Sequence, residues 1–147
     1  PYISTKKYFF NSLTTGKKQH TGNWIGKTTA NAWGICHSPA RDYTLVDIPG
    51  TYSLSSRSAE EEVARDFICF GVHQAVVIVC DATCLERNLN LVLQILEITG
   101  HAAVCVNLMD EAAAAGITID LRRLEAELGV PVVGISAARK QGLKILQ

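Results

Sequence analysis

Ala102-Ala103-Val104-Cys105-Val106-Asn107-Leu108-Met109-Asp110 is the stretch on which the fold turns. Its first five residues are a short apolar run that stops at a polar side chain, the pattern of a parallel strand covered on both faces. Ala75-Val76-Val77-Ile78-Val79-Cys80 stops in the same way at Asp81. Tyr43-Thr44-Leu45-Val46 reads as a third strand, ended by Asp47 and the turn-forming pair Pro49-Gly50. Pro131-Val132-Val133-Gly134-Ile135 reads as a fourth.

Helical patterns separate these runs. Ala59 to Cys69 opens on Glu60, Glu61 and Glu62, which suit the positive end of a helix dipole. Leu85 to Ile98 is expected to carry Leu89, Val92, Leu93 and Leu96 on one apolar stripe. Asp120 to Leu128 starts on a capping aspartate and stops at Gly129-Val130-Pro131. Strands alternating with helices imply right-handed crossovers and an open α/β sheet, mostly parallel, with helices on both faces. Ligands of such sheets sit at the carboxyl ends of the strands, where Asp47, Asn107 and Ser136 all fall.

Bulk properties narrow the classes of function. The 147 residues suffice for a single domain with a sizeable core, and no internal repeat or domain boundary divides them. Fourteen Lys+Arg balance fourteen Asp+Glu, so no global field draws the chain to nucleic acid or an anionic membrane. The five cysteines are odd in number and none are spaced C-x-x-C, which points to buried thiols in a reducing compartment. The four histidines show no ligand spacing either. No run approaches the ~18 apolar residues of a membrane helix, and the N-terminus lacks a signal-peptide pattern.

Three short motifs follow three strands. In Asn107-x-x-Asp110 the carboxylate can accept from N1 and N2 of guanine, a donor pair that adenine lacks, and the Asn can tie neighbouring loops together. The plainer reading of Asp110 is a helix cap before Glu111. In Asp47-Ile48-Pro49-Gly50 the Asp can hold Mg²⁺ through water and the Gly can bring its N–H to a terminal phosphate; a simple turn explains the same residues. Ser136-Ala137 can offer a backbone N–H to the guanine O6. Singly these are weak. Their order, each after its own strand and about sixty and then about thirty residues apart, is that of a GTP-binding domain.

Gly22-Asn23-Trp24-Ile25-Gly26-Lys27-Thr28 imitates the phosphate loop G-x-x-x-x-G-K-[ST], with three residues instead of four between its glycines. The polar Gly16-Lys17-Lys18-Gln19-His20 before it cannot be the buried strand that feeds such a loop, so Lys27 is not read as the phosphate-binding lysine.

Gly22-Asn23-Trp24-x-Gly26-x-Thr28 resembles the switch I segment of the GTPase domain of the ferrous iron transport protein B family. Asp47 to Leu54 resembles the family's next motif and switch II, Asp81-Ala82-Thr83-Cys84-Leu85-Glu86-Arg87-Asn88-Leu89 the segment after it, and Asn107 to Asp110 its guanine motif. The likeness runs from about Phe10 to the end. It implies one GTP-binding and GTP-hydrolysing domain of the Ras-like P-loop class over residues 1–147, at the cytoplasmic face of a bacterial inner membrane. The implied cofactors are GTP or GDP with Mg²⁺, and K⁺ as a candidate. The implied partners are the helical and transmembrane parts of a longer iron transporter, with no nucleic acid and with homo-oligomer formation left open. Thr28 takes the role of the switch I threonine, reaching Mg²⁺ and the γ-phosphate and acting in hydrolysis with Gly50. Thr51 stands where Ras-like enzymes carry a glutamine, which implies slow hydrolysis.

The front departs from the family. Aligned on Phe10-Asn11-Ser12-Leu13-Thr14, the phosphate loop falls on Ile3-Ser4-Thr5-Lys6-Lys7, and the first strand is missing. Lys6 matches the phosphate-binding lysine. Thr5 replaces the preceding Gly, Lys7 the Mg²⁺-binding Ser/Thr, and Ile3 the Asn associated with potassium. A second function therefore stands beside hydrolysis: a nucleotide-poor GTPase fold acting as a regulatory or docking module. A GTPase of ribosome or tRNA work is a third, opposed by the lack of a basic patch.

Overall fold

The structure is a computed structural model that describes residues 10–11, 13–14, 20–23, 30–51, 53–55 and 58–136. Three of the apolar runs pair in parallel as β4 (Val76–Asp81), β5 (Ala102–Asn107) and β6 (Val132–Gly134), in the order β4-β5-β6. The register sets Val104 beside Ile78 on one side and Val132 on the other, and brings Asp81 level with Asn107. The two polar strand ends thus lie side by side, as the sequence pattern requires.

The third run, β3 (Asp42–Asp47), belongs to a different sheet. It pairs antiparallel with β2 (Ala30–His37), which pairs antiparallel with β1 (His20–Asn23). This hairpin unit was not legible in the sequence, because residues 30–37 lack both strict alternation and a continuous apolar run. Gly22 and Asn23 are strand residues paired with Asn31 and Ala30. The first two residues of the Gly22–Thr28 stretch thus lie in an antiparallel strand, in a different sheet from β4, β5 and β6, and Trp24 to Thr28 lie outside the described residues.

Four helices follow: α1 (Ala59–Phe70), α2 (Leu85–Ile98), α3 (Met109–Ala114) and α4 (Leu121–Leu128). Ser58 caps α1 by accepting from the Glu61 N–H, and Asp120 caps α4 by accepting from the Arg123 N–H at 3.0 Å. At the other end of α4, Gly129 takes a left-handed φ of 69° and returns its N–H to the Glu125 carbonyl. On α2 the structure corrects the expected stripe. Asn88, Leu91, Val92 and Ile95 are the buried positions, Leu89 and Leu96 pack at their flanks, and Leu93 is exposed. The true face is turned slightly from the expected one because Asn88, a polar residue, occupies an inward position.

The parallel sheet is covered on both faces. Ile78, Cys80, Val104, Val106 and Val132 pack against Ala64 and Ile68 of α1, the buried face of α2 and Ala112 of α3. On the opposite face Val79, Cys105 and Ile135 meet Leu13 and Cys36, with Tyr43 and Leu45 of β3 at their edge. Phe10, Asn11 and Leu13 are helical, and Thr14 donates to the Phe10 carbonyl at 3.1 Å. Gly34 of β2 lets this turn approach closely, since a Cβ there would lie 2.7 Å from Thr14 Cγ2. Cys36, Cys80 and Cys105 are buried and free, as small apolar side chains, whereas Cys69 and Cys84 are exposed.

Candidate functional site

Three of the motif residues meet at the carboxyl ends of β5 and β6. Asn107 is 1% exposed and its Oδ1 accepts from the Leu108 N–H at 2.9 Å. Leu108 then takes a left-handed φ of 63°, rare for a side chain of this size, and launches α3 without a side-chain cap. The strained turn is held from behind: Ile135 N–H donates to the Val106 carbonyl at 2.8 Å, and Met109 N–H to the Ile135 carbonyl at 3.2 Å. Buried Ser136 donates its hydroxyl to Asp110 Oδ1 at 2.7 Å. Asp110 is thus a first-turn residue oriented by Ser136, and the helix-cap reading does not describe it.

The neighbouring strand end is built in a similar way. Asp81 is buried, and its Oδ1 accepts from the Thr83 N–H at 2.8 Å and the Thr83 hydroxyl at 2.6 Å, which winds residues 82–84 into a 3-10 turn against α3. The Asp81 N–H in turn donates to Oδ1 of buried Asn88 at 2.6 Å. The sequence marks Asp81 to Leu89 only as a family-like segment, although an Asp followed two residues later by Thr is the pattern of a side-chain-closed turn.

Asp47 and Gly50 sit elsewhere. Asp47 ends β3 half-buried, and Ile48 to Thr51 pass over α1, β4 and α2. Thr51 donates its hydroxyl to the Ser53 carbonyl and accepts the Ser53 N–H, closing a tight turn after Gly50. Lys6, Lys27, Thr28 and Ala137, together with Ile3, Thr5 and Lys7, lie outside the described residues. Among the described residues no three His, Cys, Asp or Glu side chains group as a metal site, and no helix is long and apolar enough to cross a membrane.

Burial in the parallel sheet pushes the Cys80 and Cys105 thiols up to about 12. Cys84 is also raised, by desolvation first and by the nearby Asp81 charge. Thiols held neutral in this way are poor nucleophiles.

A parallel α/β sheet with N-x-x-D and Ser at its carboxyl end defines the class: a P-loop GTPase domain fold. The chain belongs to the ferrous iron transport protein B family, whose model matches residues 4–147. It is 39% identical over 148 aligned residues to the Fe(2+) transporter FeoB of Escherichia coli K12, covering 98% of this chain and 19% of that protein. The cytosolic domain of the T. maritima FeoB iron transporter in a GDP form superposes with a TM-score of 0.90 at 38% identity, over 96% of this chain and 55% of that one. The FeoB G-domain from Methanococcus jannaschii gives a TM-score of 0.81 at 39% identity, over 96% and 84%. The chain spans about a fifth of the length of the curated transporters it matches.

Proposed function

We propose that this chain is a single guanine-nucleotide-binding domain that hydrolyses GTP slowly and regulates ferrous iron uptake by a membrane transporter, at the cytoplasmic face of a bacterial inner membrane. The observation that carries the reading is the meeting of Asn107, Asp110 and Ser136 on two adjacent strand ends. The Asp110 carboxylate, oriented by Ser136, accepts N1–H and N2–H of guanine, and the Ser136-Ala137 motif is assigned the backbone N–H that meets O6. The relatives support the ligand class: the T. maritima cytosolic domain is known in GDP and GMPPNP forms.

For Mg²⁺, the half-buried carboxylate of Asp47 has the hard oxygen donors the ion takes, with Thr28 as the second ligand assigned by resemblance. The ion would neutralise charge on the terminal phosphates. Lys7 does not fit, because an ammonium has no lone pair to offer at the position of the family's hydroxyl. The Ile3 side chain offers K⁺ no oxygen. Lys6 binds phosphate, Thr28 senses its γ group, and Gly50 supplies an N–H to it.

Lys7 and Thr5 also favour a second reading, in which base recognition persists while turnover is lost and the fold serves as a docking module. One calorimetric series separates them. The parent chain is expected to bind GDP in preference to ADP, and Asp110→Asn to lose several kcal/mol of GDP affinity while gaining for xanthine nucleotides. Thr5→Gly with Lys7→Thr, on a chain extended by an N-terminal strand, is expected to restore Mg²⁺-dependent binding. Equal affinity of the parent for ADP and GDP refutes the guanine site. Tight GDP binding without those changes refutes the docking reading.

A further inference from the structure

Leu54 closes the segment that begins at Asp47. Its side chain is buried in the main core, and its N–H donates to Gln94 Oε1 at 2.7 Å, across 40 residues of chain. Gln94 stands on α2 beside Leu91 and Ile95, both buried. Within the segment, hydroxyls fold the chain on itself: Thr51 closes on Ser53, and Ser53 Oγ accepts from the Ser55 N–H at 3.1 Å. Gln94 ties that folded unit to a long helix of the sheet layer.

What lies beneath gives this bond its weight. A cavity of about 70 Å³ is lined by Ile48, Gly50 and Leu54 together with Ile68, Val79 and Ile95. Beside a void the dispersion contacts of a close-packed core are partly lost, so the part of the segment that lines it leans on its anchor, the buried Leu54 side chain and the Leu54 N–H tie. A segment held in that way can take a second position when the tie is cut, because the floor beneath it does not force the first.

We propose that Gln94 is a positioning residue: through the Leu54 N–H it holds Gly50 where its own N–H meets the terminal phosphate. The proposal rests on the GTPase reading given above. Gln94 touches no nucleotide, so its loss leaves base and diphosphate affinity intact and acts on the triphosphate step. Without the tie, Gly50 must be ordered anew for each turnover.

The test compares the chain with Gln94→Leu, which matches the volume without an acceptor, and Gln94→Glu, which keeps the acceptor. Gln94→Ser, polar and too short to reach, guards against a folding failure of the Leu variant. In Gln94→Leu the Leu54 amide is expected to exchange its hydrogen at least about tenfold faster, and GTP hydrolysis to slow roughly fivefold, the size of one net hydrogen bond. GDP affinity is expected to stay within about twofold, and Gln94→Glu to restore both amide protection and rate. Unchanged Leu54 exchange, or hydrolysis equal to that of an active parent, overturns the proposal. A parent that hydrolyses no GTP overturns the GTPase reading instead, and the exchange measurement still decides whether Gln94 holds the segment.

Discussion

The Ser136 hydroxyl donates to Asp110 Oδ1 at 2.7 Å, bridging two strand ends separated by 26 residues of chain. Ser136 is 3% exposed, so the bond is sheltered from competing water, and its acceptor is a carboxylate. The bond fixes the rotation of the carboxylate plane. A guanine edge presents two parallel donors and needs that plane preset.

Ser136→Ala is therefore expected to weaken GDP binding about tenfold, the lower range for a hydrogen bond to a charged group. Ser136→Thr keeps the hydroxyl and should lie between the two. Calorimetric titration with GDP checks this, and an Ala variant with parental affinity refutes the orienting role.

The assignment of Thr28 over Lys27 has its own consequence. A contact made only with the γ-phosphate is absent in the diphosphate state. Thr28→Ala should slow GTP hydrolysis with GDP affinity nearly unchanged, and Lys27→Ala should be mild in both. Loss of GDP binding in Lys27→Ala would make the Gly22–Thr28 stretch the real phosphate loop.

The apolar runs ending at Asp81 and Asn107 foretold the parallel sheet because burial on both faces leaves an unambiguous pattern, and the order of the motifs foretold the GTPase fold. Other features left no local trace. The β1–β2 hairpin carries Asn31, Gly34 and His37 in a strand, and pairing alone makes it one. Asn88 reads as an outward helix residue until the Asp81 N–H is seen to need an acceptor. Gln94 and Leu54 are 40 residues apart, and no spacing rule joins them.

The buried thiols make stability depend on alkaline pH. Cys80 and Cys105 are held near 12 in the fold against 9.0 for the ordinary thiol. Below pH 9 both states keep the proton and the contribution is fully present. From there toward 12 only the folded state keeps it, so stability falls as pH rises. Urea midpoints at neutral pH and at about pH 10 should differ more for the parent than for Cys80→Ala with Cys105→Ala. Equal midpoint differences in the two proteins would place the alkaline sensitivity on other groups.

Asn88 offers the sharpest test of the strand-end architecture. It is 4% exposed, and its Oδ1 takes the Asp81 N–H at 2.6 Å. That N–H stands where β4 gives way to the 3-10 turn, and the turn itself hangs on the Asp81 carboxylate. Asn88→Ala removes the acceptor and leaves a buried donor unsatisfied, at a cost of about 1–3 kcal/mol to which a small cavity adds. The urea midpoint should drop with the slope unchanged, since the surface exposed on unfolding is the same. Because Asp81 is level with Asn107 and the turn packs on α3, GDP affinity should fall too, by less than in Ser136→Ala. A midpoint equal to the parent's would mean that the Asp81 N–H finds another acceptor, and the strand end would then owe its shape to Asp81 and Thr83 alone.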